Sequence, residues 1–322
     1  MSGHPEVLAC RAETVEPDRS DAGDFASWAA TERLAVEAAL ECWVPADAPA
    51  GLGLAMRYGV LDGGKRLRPL LVLAACQAVS GDRTAALRAA VAVELVHAYS
   101  LVHDDMPCMD DDVMRRGKPT VHVEFGQAQA MLAGDAMQAL AFEVLTPETG
   151  LEPALQSRLV GLLARAAGHA GMAGGQAIDL ASIGQPLNEA ALCDMHRRKT
   201  GALLHASVLM GVACAPGGTR AGAAGAALTA ALSDYGAAIG LAFQVVDDIL
   251  DVTQASATLG KTAGKDRHHN KPTYVSVLGL QAAHAHAERL RQQAHAALER
   301  SGVAASAGLL AALADQVVER ES

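Results

Sequence analysis

These 322 residues hold no C-x-x-C pair, no extended Lys/Arg run, no uninterrupted apolar stretch of transmembrane length and few β-branched segments with period-two alternation. Each absence excludes something. The six cysteines, at positions 10, 42, 76, 108, 193 and 214, lack metal-ligand spacing, so reduced thiols in a reducing cytoplasm are expected rather than a disulfide framework. A formal net charge of −10 and a pI near 5.6 argue against a nucleic-acid surface, so any anion must be met by local basic clusters. The opening MSGHPEVLACRAETVEPDRSD mixes acids and prolines and lacks the charged-then-apolar order of a signal peptide. Stable membrane insertion is not expected.

What is present is apolar and helix-forming. Half of the chain (51%) is hydrophobic and 19% charged, enough to bury a large core. Ala, Leu, Glu and Arg dominate long segments whose apolar residues recur every three and four positions, the signature of an all-α fold. After a head of residues 1–24, expected to be mobile, the pattern predicts about ten helices: 25–43, 48–60, 67–79, 83–105, 124–146, 152–171, 188–213, 222–253, 275–299 and 303–319. Pro45, Pro49, Ser80-Gly81-Asp82, Pro147, Gly150, Gly184 to Pro186 and Pro216-Gly217-Gly218 punctuate them, and none of these breaks is as long as an interdomain linker. One helical bundle over 25–322, around a central substrate cavity, is the simplest architecture.

Two stretches, Val91 to Val102 and Ile239 to Leu250, are apolar nearly all round and so belong at the centre of the bundle. Each ends in acids: Asp104, Asp105, Asp110, Asp111 and Asp112 after the first, Asp247, Asp248 and Asp251 on the second. A helix C-terminus already carries partial negative charge, so these carboxylates need cations nearby. Asp247 and Asp251 stand four apart and Asp248 and Asp251 three apart, on adjoining parts of one helix face. Pro107 breaks the first helix and lets Asp110 swing toward Asp104. Oxygen ligands without His or Cys favour a hard ion, and Mg²⁺ usually takes a few carboxylates together with substrate phosphates.

Basic residues lie close by. Gly63-Gly64-Lys65-Arg66-Leu67-Arg68-Pro69 puts three cations on a turn that opens a helix, suited to a phosphate, and Arg115-Arg116-Gly117-Lys118-Pro119 follows the first acids. His97 precedes Asp104 by seven residues, nearly the same helical face. Each feature alone also has a plain reading: an exposed acidic helix end, a solvated basic run, a core histidine. A phosphohydrolase built on His103-Asp104 would need further His ligands, and none has a convincing helical placement. His268-His269, without a Cys partner, reads as a solvated loop.

In order, GGKRLRP, LVHDDMPCMDDDVMRRGKPT, GMAGGQAIDL, HRRKTGAL, GLAFQVVDDILD and GKTAGKDRHHNKPTY resemble the polyprenyl synthetase family of trans-isoprenyl diphosphate synthases, over about residues 50 to 320. The wording is most similar to the bacterial farnesyl diphosphate synthases. The resemblance implies condensation of an allylic diphosphate with isopentenyl diphosphate, and it assigns roles position by position. Asp104, Asp110 and Asp247 match the ligands of three Mg²⁺ ions, with Asp105, Asp248 and Asp251 in support or binding through water. Lys65, Arg68, His97 and Arg116 match positions that hold isopentenyl diphosphate; Arg115, Lys199 and Lys261 match those on the allylic diphosphate, with Lys271 nearby. Thr200 and Gln244 match positions whose oxygens face the carbocation.

Tyr99 stands five residues before Asp104, about 7.5 Å along the helix, where the resemblance places the floor that limits product length. Ordinary core packing is the other reading of this tyrosine. Geranyl and geranylgeranyl diphosphate synthases remain alternatives within the family. A terpene cyclase would carry a different second metal motif from Asp247-Asp248-Ile249-Leu250-Asp251, and a non-catalytic subunit of a heteromeric synthase would have lost ligands that are all present here. The resemblance further implies a homodimer.

Overall fold

The computed structural model describes residues 25–61, 63–185, 187–217, 222–253 and 272–320. The head at 1–24 and the loop bearing Lys261, His268, His269 and Lys271 therefore lie outside the described residues. The rest is helical, as the sequence pattern predicts: α1 Phe25–Trp43, α2 Leu52–Val60, α3 Leu67–Ala78, α4 Arg83–Asp104, α5 Val121–Phe125, α6 Gln127–Leu145 and α7 Pro153–Ala167 come first. They are followed by α8 Met172–Ala181, α9 Glu189–His196, α10 Ala202–Ala213, α11 Ala223–Thr253, α12 Tyr274–Leu278, α13 Leu280–Arg300 and α14 Gly308–Glu319. A single hairpin pairs Met114 with Pro119 and Arg115 with Lys118.

The differences from the predicted helices have local causes. Gly126, at φ 86°, splits the predicted 124–146 segment into α5 and α6. The predicted 188–213 helix is interrupted by a π-turn at Arg197–Gly201. The helix α8 was not predicted, because Gly171, Gly174 and Gly175 lower its intrinsic propensity; packing supplies what propensity lacks.

The core has two halves joined by shared helices. One half gathers residues of α2, α4, α6 and α7, the other residues of α11, α13 and α14. Helix α3 gives Val72, Leu73 and Cys76 to the first and Leu70, Leu71, Ala74 and Ala75 to the second. Helix α10 divides likewise, with Leu203, Ala206 and Met210 on one side and Leu204, Val208 and Val212 on the other. Each acid cluster thus ends the central helix of a different half. Asp82 caps α4, its carboxylate accepting from Thr84 N at 2.8 Å and Ala85 N at 3.3 Å. By length and composition α4 and α11 could each cross a membrane, which the search for uninterrupted apolar runs did not register. In the fold 72% of the relevant window of α4 and 50% of that of α11 is buried within the protein.

Arg66 ties the GGKRLRP turn to this core. At φ 48° it leaves the helical region just before α3 and points its guanidinium inward. Nη1 donates to Glu94 at 2.6 Å, Nε and Nη2 to Glu37 at 2.7 and 3.0 Å, and Nη2 also to the Val60 carbonyl at 2.7 Å. Arg66 is therefore not one of three outward cations, as the turn's sequence suggests; Lys65 and Arg68 flank a buried anchor. Arg66→Met should strand the buried Glu94 carboxylate and destabilise the fold by about 3–5 kcal/mol, read as a lower urea midpoint at unchanged slope. Adding Glu94→Gln should restore much of the loss; no recovery would mean that packing, not charge, makes Arg66 important.

Candidate active site

The first acidic wall is built by the chain reversing after α4. Met106 to Asp112 fold back on the helix end: Asp110 N donates to the Asp104 carbonyl at 2.8 Å and Asp112 N to that of Asp105 at 3.0 Å. Pro107 thus brings Asp110 beside Asp104. Burial, together with the charges of Asp110 and Asp105, pushes the Asp104 carboxyl up to about 6, against the opposing pull of Lys199 and Arg115. Asp105 is buried and clamped by Arg115, whose Nη2 and Nε donate to it at 2.6 and 2.9 Å. It is a partner for Arg115.

The second wall lies on α11. Asp247 keeps 38% of its side chain exposed, 3.7 Å from the Arg320 guanidinium, and its charge acts on Lys65. Asp248 and Asp251 are buried, at 2% and 7%, while Asp247 is the more open of the three. Asp248 accepts from Gln244 Nε2 at 2.8 Å and from Tyr274 N at 2.7 Å, and Gln244 Oε1 accepts from the Thr200 hydroxyl at 2.9 Å.

Lys199 and Thr200 sit in the π-turn, the local widening that often marks functional sites. Two glycines let neighbours press against it. A Cβ on Gly175 of α8 would lie 2.1 Å from Lys199 N, and one on Gly240 of α11 would lie 2.8 Å from Gly201 Cα. The close approach sets Lys199 Nζ 2.5 Å from Asp179 and Thr200 against Gln244. Gln176, one turn before Asp179, is buried with neither side-chain polar atom partnered among the described residues. GMAGGQAIDL lies in the resemblance, yet Gln176 and Asp179 carried no role in the sequence reading.

A cluster of arginines surrounds one histidine. His97, on α4, feels Arg68, Arg116, Arg115 and Arg66; burial first and these charges second hold its pKa well below the usual histidine range. It is a neutral imidazole, able to donate one hydrogen bond to an anion. Arg68 is 9% exposed and desolvation brings its pKa down to about 10. Arg116 Nη1 donates to the Gly63 carbonyl at 2.7 Å, which joins the hairpin to the Lys65 turn. Arg68, Arg116, Arg115 and Arg66 thus gather about His97, while Lys65 senses Arg320 and Asp247. Tyr99 is buried below, edge-on to His103 with centroids 5.8 Å apart at 70°, and hydrogen-bonded to Gln138 of α6.

Arg320 was outside the reach of sequence reasoning, being a lone cation beyond α14. Its Nη2 donates to the Phe243 carbonyl at 2.6 Å and its guanidinium lies 3.9 Å over the Phe243 ring.

The donor set fits Mg²⁺ of a particular kind. Among the described residues no three acidic, His or Cys side chains converge tightly enough to hold a metal by themselves. Asp104 with Asp110, and Asp247 on α11, offer a few carboxylate oxygens each, the sparse protein contribution typical of Mg²⁺ shared with phosphates. The raised pKa of Asp104 reflects the same unmet demand for positive charge.

His196 closes the inner end of α9 against Tyr274, with ring centroids 5.4 Å apart at 28°. It is buried, neither ring nitrogen has a hydrogen-bond partner among the described residues, and desolvation lowers its pKa to about 4. Unfolded, it would titrate near 6.5. The folded value lies below the unfolded one, so this contribution to stability is complete above about pH 6.5 and is lost as pH falls toward 4. His196→Phe should flatten the stability slope between those limits in chemical denaturation series. His97, His205 and His286 shift in the same direction and would leave a residual slope.

The polyprenyl synthetase family model matches residues 50–307. Geranylgeranyl pyrophosphate synthase 11, chloroplastic, of Arabidopsis thaliana is 47% identical over 282 residues, covering 86% of this chain and 77% of the relative. Farnesyl diphosphate synthase of Haemophilus influenzae is 44% identical over 268 residues, covering 83% and 88%. A crystal structure of geranyltransferase from Helicobacter pylori, complexed with magnesium and isoprenyl diphosphate, superposes with TM-score 0.78 at 33% identity, covering 93% of this chain and 98% of that one. With its acids on two helices, its arginine-ringed histidine and these relatives, the chain belongs to the polyprenyl synthetase family and is a prenyltransferase.

Proposed function

We propose that this prenyltransferase is a farnesyl diphosphate synthase, joining isopentenyl diphosphate to dimethylallyl and then geranyl diphosphate with release of pyrophosphate. The observation that carries the reading is the division of charge: acids on two walls, a separate arginine pocket around neutral His97, and the bulky Tyr99 beneath Asp104. Two diphosphates need two different grips. Lys65, Arg68, His97 and Arg116 would hold isopentenyl diphosphate directly. Arg115 and Lys199, with Lys261 and Lys271 from outside the described residues, would hold the allylic diphosphate.

Asp104, Asp110 and Asp247 would bind Mg²⁺, three ions on the proposed reading, which would neutralise the diphosphate as it leaves. The chain's own residues do the rest. Lys199 and Arg115 place positive charge at the departing group. The oxygens of Thr200 and Gln244 offer negative dipole ends to the allylic cation without presenting a carboxylate that could be alkylated. The alkene of isopentenyl diphosphate attacks that cation, and loss of a proton restores a double bond; the released pyrophosphate is the proposed proton acceptor.

A second reading, geranylgeranyl diphosphate synthase, draws on the 47% identity to the Arabidopsis relative. Tyr99 favours the shorter product, because a buried ring under the first acids leaves less room for a growing tail. We also propose a homodimer. Leu54, Val123, Met131 and Leu132 are exposed on the mutually packed helices α2, α5 and α6, an apolar face suited to a second copy.

Incubation of the protein with isopentenyl diphosphate and each of dimethylallyl, geranyl and farnesyl diphosphates tests the function. Fifteen-carbon product is expected, abolished by chelation and reduced at least about 100-fold by Asp104→Ala or Asp247→Ala. Tyr99→Ala should lengthen the product; an unchanged spectrum would remove Tyr99 as the floor. Absence of condensation with every acceptor would sink the enzyme assignment. For the assembly, sedimentation should give twice the monomer mass, shifted toward monomer by Leu132→Glu.

A further inference from the structure

The second acid of the α11 cluster is held within the protein. Asp248 is 2% exposed, and each of its carboxylate oxygens is engaged inside the protein: Oδ1 by Gln244 Nε2 at 2.8 Å, Oδ2 by the Tyr274 backbone N–H at 2.7 Å. His196 Nε2 stands 4.0 Å from Oδ2. An ionised carboxylate accepts hydrogen bonds and cannot donate them. Gln244 must therefore turn its NH₂ toward Asp248 and its Oε1 away, and Oε1 is the atom that the Thr200 hydroxyl meets at 2.9 Å. Thr200 has one proton and gives it to Gln244, so the lone pairs of its oxygen are what it presents elsewhere. Thr200 and Gln244 both keep part of their surface open, while Asp248 does not.

We infer that Asp248 is a positioning residue that fixes the polarity of Thr200 and Gln244, holding the negative ends of both dipoles toward the reacting allylic group. The inference rests on the proposed prenyl transfer, because a cation is what makes that polarity useful. The chain of bonds has a fixed sense. Tyr274 N–H and the Gln244 amide point their hydrogens at Asp248, and the Thr200 hydroxyl points its hydrogen at Gln244, so each donor faces inward from the site. A neutral residue at 248 of the same shape would not impose this sense.

Asp248→Asn makes the argument measurable. Its amide NH₂ would oppose either Tyr274 N–H, which cannot turn round, or the Gln244 NH₂, which can. Rotation of the Gln244 amide would then bring NH₂ to Thr200, forcing the hydroxyl to accept and freeing its proton to point toward the cation. Asp248→Ala removes the carboxylate without imposing the opposite sense, leaving Gln244 to adopt both orientations. The two variants delete the same charge, but the asparagine keeps an acceptor for Tyr274 N–H and asks Gln244 to turn, whereas the alanine removes that acceptor and asks nothing of Gln244.

The experiment measures kcat, the KM of both diphosphates and the Mg²⁺ requirement for wild type, Asp248→Asn, Asp248→Ala, Thr200→Ser, Thr200→Val and the double variant Thr200→Val/Asp248→Asn. Thermal unfolding accompanies each. A fall in kcat of about 10–100-fold is expected for Asp248→Asn, with KM and Mg²⁺ dependence little changed. Asp248→Ala should lose less, Thr200→Ser, which keeps the hydroxyl, should lose less than Thr200→Val, and the double variant should be no worse than its more damaging single parent. Wild-type kcat in Asp248→Asn, equal losses in the Asn and Ala variants, additive losses in the double variant, or a raised Mg²⁺ requirement would each overturn the inference. Should Asp248→Asn not fold, a kcat in Asp248→Ala below that of Thr200→Val would do so instead. Wild-type protein that forms no condensation product overturns the underlying function, a result separate from any of these.

Discussion

Carboxylates crowded at the ends of two apolar helices govern this structure. Their mutual repulsion and loss of water raise Asp104 to about 6, and the fold offsets only part of that cost. It does so selectively. Asp105 is matched by Arg115, Asp179 by Lys199, and Asp248 by an amide and a backbone N–H. Asp104, Asp110 and Asp247 have the more open positions, Asp104 and Asp247 within reach of Lys199, Lys65 and Arg320. The acids that look alike in sequence thus separate into those buried against partners within the protein and those in more open positions, which on the proposed reading bind the cations.

The positive side of the site obeys the same logic in reverse. Four arginines around one histidine would repel strongly if the histidine were charged, so burial and the arginines together keep His97 neutral. Arg66 escapes the crowd by turning into the core, where Glu94 and Glu37 meet it. The left-handed backbone at Arg66 is what makes that turn possible. A buried ion pair here sets loop geometry more than it adds stability, since desolvation offsets most of its attraction.

Much of this was legible in sequence because it is periodic or local. The long helices, the central placement of α4 and α11, and the swing of Asp110 around Pro107 follow from apolar spacing and proline chemistry. The rest depends on contacts between distant segments. No local pattern distinguishes Asp247 from Asp248; their separation arises because Tyr274, which lies 26 residues further on, supplies an N–H to one of them. At the π-turn of Lys199 α8 and α11 close in through Gly175 and Gly240, and α8 is invisible to propensity because of Gly171, Gly174 and Gly175. Arg320 gains meaning only from packing over Phe243.

The two halves of the core carry separable tasks. Tyr99 is fixed from α6, by Gln138 and by His103, whose ring nitrogen lies 3.0 Å from the Met131 carbonyl. Thr200, Gln244 and Asp248 are fixed from α11 and Tyr274, in the other half. On the proposed reading, the length of the product is set by α4 against α6, and the stability of the cation by the π-turn against α11. A substitution at the floor therefore need not disturb the charge arrangement that drives ionisation. That independence accounts for a family whose members at 44% and 47% identity to this chain carry the names of products of different length. On the proposed reading the determinants of length lie where α4 meets α6, at Tyr99 and Gln138, rather than among the aspartates that identify the family.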